Sequence, residues 1–203
     1  MIKNFLIINC TGYNNFIGLK VDNKFFTSRL QTNLIKNDNL IQSILLILKE
    51  NRVEIDSSFS IIINVGPGSF SSIRISLSVA KGIEVVKKTK LYSYDSFKFN
   101  LAEYLSEKEK IISIQKTNNF YYFVEGRYHD KYTFSLPKEI NFQVLNKDQT
   151  SIIVVPVELQ NDKKMHINNK KKLKYVKFDL KNIEILIKNN LLENKLIKPL
   201  YLS

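Results

Sequence analysis

The stretch from Phe59 to Gly82 constrains the fold of this chain more than any other. Phe59 to Val65 is an apolar run rich in isoleucine, as expected of a central strand covered on both faces. It leads directly into Gly66-Pro67-Gly68-Ser69, and Phe70 to Lys88 then has helical spacing. The glycines allow a sharp strand-to-helix turn, and Thr89 to Tyr94 reads as a further strand.

The flanking sequence extends that unit. Phe5 to Asn9 reads as a buried strand, Phe16 to Val21 and Lys24 to Leu30 as two more, and Asp22-Asn23 as the hairpin turn between them. Asn37 or Asp38 is placed to cap a helix reaching about Glu50. Its apolar residues Leu40, Ile41, Ile44, Leu45, Leu46, Ile47 and Leu48 spread beyond a single stripe, so the helix has one face for its own sheet and a second in need of cover. A short helix is expected over Asp95 to Leu105. Ile7 to Ser28 then aligns with Ile112 to Ser135, Asn9 lying opposite Gln115, which suggests two related lobes, 1–106 and 107–203. Beyond these, Ser151 to Val155 reads as a buried strand and the lysine-rich stretch as a loop. Asp179 to Asn189 is expected to be a helix and Pro199 to Leu202 an apolar tail that folds back.

Composition narrows the function classes. At 44% hydrophobic residues the chain is globular, and the apolar segment Phe5 to Ile8 is too short for a secretion signal or a membrane span. One cysteine, Cys10, fits a reducing cytoplasm. The net charge of +12 would suit an RNA partner, but arginine occurs only at 29, 52, 74 and 127 while lysine and asparagine abound, the bias of an AT-rich coding sequence. The dense cluster is Lys163, Lys164, Lys170, Lys171, Lys172, Lys174 and Lys177. With Tyr121, Tyr122 and Phe123 as stacking groups it defines one alternative, a free-standing RNA-binding protein.

The glycine loop allows close backbone approach and offers N–H groups to an anion, yet it lacks the Gly-Lys-Ser/Thr ending of a nucleoside-triphosphate loop. After it, Ser72, Ser76 and Ala80 recur every four residues with Ile73 and Leu77 beside them, spacing that lets another surface approach closely, either inside the molecule or on a partner helix.

Gly66, Pro67, Gly68, Ser69, Phe70, Ser71, Ser72, Ile73, Arg74, Ile75 and Ser76 closely follow the Gly-Pro-Gly-Ser-Phe-Thr-Gly-hydrophobic-Arg-Ile-Gly motif of the TsaB (YeaZ) family, which the chain resembles. Ala80-Lys81-Gly82, Tyr94-Asp95-Ser96-Phe97 and Pro199-Leu200-Tyr201-Leu202 resemble that family too. The resemblance implies an α/β, actin-like fold of the sugar-kinase and Hsp70 type (RNase H-like) and a non-catalytic role in making threonylcarbamoyladenosine in transfer RNA. It implies that the chain binds no cofactor alone, ATP and metal residing in a TsaD-like catalytic partner. A TsaE-like ATPase joins that pair, tRNA meets the complex, and the chain forms a homodimer when the partner is missing. The implied interface is Leu40, Ile41, Ile44, Leu45 and Leu48 with Ser72, Ile73, Ser76, Leu77 and Ala80. Leu45→Asp or Ala80→Arg is then expected to abolish pairing in a folded monomer.

Two enzymatic alternatives need groups that are hard to find. A metallopeptidase or metal-binding transferase needs paired histidines, and only His129 and His166 occur. An actin-like small-molecule kinase needs magnesium carboxylates and a second glycine loop. Asn9 and Gln115 stand where relatives often carry acids, and Gly126 is the only glycine after Gly82.

Overall fold

The computed structural model describes residues 2–12, 14–30, 37–117, 119–165, 167–168 and 172–202. The chain divides into two compact units, 1–95 with 190–201, and 96–189.

In the first unit β1 (Phe5–Asn9), β2 (Phe16–Val21) and β3 (Lys24–Arg29) form an antiparallel meander, and β4 (Ser60–Asn64) and β5 (Lys90–Tyr94) add in parallel on the other side of β1. The order is β3-β2-β1-β4-β5. Asp22 and Asn23 both take positive φ, 48° and 64°, so the hairpin has the mirror-image turn that matches strand twist. Helix α1 (Asn37–Glu50) connects β3 to β4, and α2 (Phe70–Lys87) connects β4 to β5. The capping side chain expected at Asn37 or Asp38 lies outside the described residues.

One core joins this sheet to the two helices. Leu6, Ile8, Ile17, Leu19, Ile61 and Ile63 face Leu40, Ile44 and Ile47 of α1, together with Leu77 and Ala80 of α2. Full burial of a leucine or isoleucine stabilises by about 1.5–3 kcal/mol. The spacing explains the arrangement: 40, 44 and 47 lie on one side of α1, and 73, 76, 77 and 80 on one side of α2.

The second unit repeats the pattern. Here β6 (Ile111–Thr117), β7 (Phe120–Tyr128) and β8 (Tyr132–Phe134) form the meander, while β9 (Lys138–Glu139) pairs with β7. Two parallel strands, β10 (Ile152–Pro156) and β11 (Leu173–Val176), complete the order β11-β10-β6-β7-β8. Renumbered from its own first strand, this is the order of the first sheet, so the duplication suggested by Ile7–Ser28 and Ile112–Ser135 extends to the topology of both units. The crossovers differ. Where the first unit has α1 and α2, the second has α4 (Phe142–Leu145) and a 3-10 turn over Val157–Leu159. The helices that follow the last strands, α3 (Ser96–Leu101) and α5 (Lys181–Lys188), both belong to the second unit, where they pack together and α3 also lies on β6.

Two boundaries differ from the sequence expectation. Residues 96–106 join the second unit because Phe97, Phe99 and Leu101 are buried on α3 beside β6 and α5, and 190–201 return to the first. That return is hydrogen-bonded: Ser93 and Glu193 exchange N–H···O bonds of 2.7 and 2.9 Å, and the Leu200 N–H donates to the Val65 carbonyl at 2.7 Å. Within the lysine-rich stretch, expected to be loop, Leu173–Val176 forms edge strand β11.

An ion cluster ties the second unit together. Lys110 Nζ lies 2.8 Å from Asp148 and 2.9 Å from Glu125, which also pairs with Arg127. Burial pushes the Asp148 carboxyl up, but hydrogen bonds from Lys110, Ser151 and Thr150 outweigh it and hold the group well below the usual carboxylate range. Burial likewise raises Glu125, and Lys110 and Arg127 bring it below its ordinary value. Both folded pKa values are depressed, so the contribution is complete above the unfolded values near pH 4 and is lost as pH falls through and below them. Lys110→Met is expected to cost about 1–2 kcal/mol at pH 7 and to flatten the stability profile between pH 5 and pH 3, as read from urea melts at each pH.

Candidate docking groove and motif loop

Burial of the inner faces of α1 and α2 leaves an apolar groove between their outer faces. Its volume is about 740 Å³, with Ile41, Ile44, Leu45, Leu48 and Lys49 on the α1 wall and Ser78, Val79, Gly82, Ile83, Val86 and Lys87 on the α2 wall. Val53, Glu54 and Ile55 also line it, and Lys87 pairs with Glu54 at 3.9 Å. Ile41 is 43% exposed, Leu45 60% and Val86 76%. Positions 79, 83 and 86 share one side of α2, as 41, 45 and 48 share one side of α1, so the two rows of side chains frame the trough. Gly82 notches one wall, since a Cβ there would meet nothing within 4 Å.

The expected interface residues therefore separate. Ile41, Leu45 and Leu48 line the groove, with Ile44 at its floor, whereas Leu40 is buried beneath α1. Ile73, Ser76, Leu77 and Ala80 are buried against the unit's own core rather than offered to a partner, and the half-buried Ser72 donates its hydroxyl to Ser69 Oγ at 3.0 Å. The small stripe lets α2 lie close to the sheet: Ser76 is fully buried and its hydroxyl donates to the Ile73 carbonyl at 3.0 Å. The part of α2 that faces outward is Val79, Gly82, Ile83 and Val86, one helical step around. Ala80→Arg consequently does not isolate docking from folding. A guanidinium at this fully buried position is expected to unfold the first unit, seen as loss of the cooperative thermal transition.

The motif loop is closed by its own chain. Asn9 Nδ2 donates to the Asn14 carbonyl at 2.8 Å, Thr11 Oγ1 donates to Asn9 Oδ1 at 2.9 Å, and Asn64 Nδ2 approaches Thr11 Oγ1 at 3.4 Å. The Gly66 N–H donates to Asn64 Oδ1 at 2.9 Å and the Ser69 N–H to the Thr11 carbonyl at 3.1 Å. A Cβ on Gly68 would lie 1.8 Å from that same carbonyl oxygen. The Thr11 carbonyl thus packs against Gly68 and takes the Ser69 N–H that would otherwise be free to meet an anion.

Other chemistry-bearing residues are dispersed. Among the described residues no group of three or more His, Cys, Asp and Glu side chains is close enough to hold a metal. His129 lies in the β7–β8 turn, and His166 is outside the described residues. Cys10 is buried, and burial pushes its thiol up to about 12, far from a nucleophile's range. Of the lysine cluster, Lys163, Lys164, Lys174 and Lys177 are exposed, Lys172 is bonded to Glu109 and to the Thr150 carbonyl, and Lys170 and Lys171 are outside the described residues. Tyr121 and Tyr122 are core residues and Phe123 is half-buried, whereas Phe120 and Tyr175 are exposed. No described helix is long and apolar enough to cross a membrane.

No protein-family model and no curated protein matches the sequence. Solved structures do. An uncharacterized Pseudomonas aeruginosa protein with similarity to peptidase YeaZ superposes at TM-score 0.71 and 12% identity, with all of both chains covered. YeaZ from Pseudomonas aeruginosa superposes at the same TM-score and 11% identity, over 99% of this chain and 100% of that one. The chain has the YeaZ fold. Its two mixed sheets of matching order are the actin-like α/β architecture, and the YeaZ fold runs through both units, including the second, where sequence likeness is faint. Within this YeaZ fold α1 and α2 are the long crossover helices, and the groove lies between them.

Proposed function

We propose that this chain is a TsaB-like, non-catalytic subunit of the complex that makes threonylcarbamoyladenosine in transfer RNA, and that it docks through the α1–α2 groove onto a TsaD-like catalytic subunit. The observation that carries the reading is the groove itself: a trough walled by Ile41, Leu45, Val79, Ile83 and Val86, in a fold whose motif loop packs on the Thr11 carbonyl. Partly exposed aliphatic side chains on the two helix walls gain by burial against a partner helix, at about 25 cal/mol per Å² of apolar surface removed from water. The net charge of +12 favours a partner of opposite charge over a second copy, although self-pairing through the same trough is the expected state when the partner is absent.

On this reading ATP, metal and the transfer step belong to the partner, a TsaE-like ATPase joins the pair, and tRNA is met by the assembly. The chain's own contribution is to bind the catalytic subunit and hold its active arrangement. The test is threonylcarbamoyl transfer to RNA by each subunit alone and by the mixture. Activity confined to the mixture is expected. Transfer by this chain alone would contradict the proposal.

A further inference from the structure

Three residues of the Gly66–Arg74 motif, Gly66, Phe70 and Arg74, meet one short segment of chain at Leu200 and Tyr201. The Leu200 N–H donates to the Val65 carbonyl at 2.7 Å, and a Cβ on Gly66 would stand 2.8 Å from the Leu200 carbonyl oxygen. Gly66 has φ +116°, a backbone that disfavours side chains in any case. One turn on, the Phe70 ring packs on the Tyr201 ring with centroids 4.7 Å apart, and the Arg74 guanidinium lies 3.7 Å over the Phe70 ring. Arg74 Nε donates to the Tyr201 hydroxyl at 3.1 Å. The Leu200 side chain packs on the same core as Val79 and Ile83.

From this we infer that the motif is a receptor for residues 199–201 of its own chain, a strap that fixes the first turn of α2 and thereby orients the helix forming one wall of the groove. The first turn needs an anchor: Ser69 makes no side-chain capping bond, and Ser69, Phe70 and Ser71 are exposed. An 18-residue helix is a rod of about 27 Å at 1.5 Å per residue. Fixing its first turn therefore sets the position of Val79, Ile83 and Val86 farther along it. Phe70, Arg74 and Tyr201 are positioning residues for the groove, not part of it. The positioning role rests on the docking reading above, while the strap itself does not.

Amide hydrogen exchange on the full chain tests the strap. In Tyr201→Ala and Arg74→Ala the Leu200 amide and the first-turn amides of α2 are expected to exchange at least tenfold faster than in the wild type, with Tyr201→Phe intermediate because it keeps the ring contact and loses the hydroxyl. Inorganic phosphate at millimolar concentration is expected to leave these rates unchanged. Unaltered Leu200 exchange in both alanine variants would overturn the strap, and release of Leu200 by phosphate would restore an anion site to the loop. The positioning role predicts that Tyr201→Ala also weakens binding to the catalytic subunit several-fold although no groove residue is changed. Faster exchange with undiminished affinity would overturn that role. A wild-type chain that fails to dock would instead remove the docking reading, with the exchange rates still deciding the strap.

Discussion

Leu45→Asp is expected to raise the dissociation constant for the catalytic subunit by at least about 100-fold while the free chain stays folded. Leu45 stands on the α1 wall of the groove at 60% exposure, so in the free chain a carboxylate there remains hydrated, and the stability change should stay near 0.5 kcal/mol. On docking, that carboxylate would have to leave water for a mostly apolar trough, a cost of several kcal/mol that Lys49 and Lys87 on its walls offset only in part and that cancels much of the interface gain. A loss of about 2.7 kcal/mol is already 100-fold in affinity. Thermal melts of the free variant and titration with the partner separate the two effects. Gly82→Ala provides the converse control: it should stabilise α2 by about 0.5–1 kcal/mol and weaken docking only as far as the partner reaches into the notch.

Gly68→Ala is expected to cost the chain a large part of its stability without unfolding it. Its added Cβ would lie 1.8 Å from the Thr11 carbonyl oxygen and 2.6 Å from the Thr11 carbonyl carbon. Those atoms are backbone and have no rotamer into which to retreat. Relief requires the β1–β2 turn to move, which breaks the Ser69–Thr11 hydrogen bond and disturbs the Asn9–Thr11–Asn64 network. A cost of about 3 kcal/mol is expected, or a fall of roughly 6–12 °C in Tm for a chain of this size. The measurement is calorimetry on the variant, and a Tm within 2 °C of wild type would show that the loop is not packed on Thr11 in solution.

Much of this arrangement is written in local pattern. The isoleucine run around Ile61 to Ile63 and the Asp22-Asn23 turn specify the first sheet, because a two-faced strand and a tight hairpin each need only their own residues. The surplus apolar face of α1 was equally legible, since Ile41 and Leu45 have nowhere to go once Leu40, Ile44 and Ile47 face the sheet. The direction of α2 was not. Ser76 and Ala80 suit close approach to a sheet as well as to a helix, and spacing alone does not distinguish the two, so the outward residues Val79, Ile83 and Val86 emerge only from the packed unit.

Two further features depend on contacts distant in sequence. Strand β11 is an edge strand carrying exposed Lys174 and Tyr175, which blurs any apolar alternation, and its pairing is set by β10 beside it. The strap joins Arg74 to Tyr201 across 127 residues. Arginine and two aromatics are visible in the sequence, but nothing local tells that they meet. The duplicated order of the two sheets was suggested by one aligned segment and becomes plain only when the parallel strands β10 and β11 are paired.

Whether the α1–α2 groove docks the catalytic subunit is read from the mass in solution of this chain mixed with the TsaD-like subunit from the same source, measured by light scattering for the wild type and for Leu45→Asp. The wild type is expected to form a one-to-one complex and the variant to leave two separate subunits. A mixture in which the wild-type subunits remain apart, or in which Leu45→Asp pairs as the wild type does, would contradict docking through the groove.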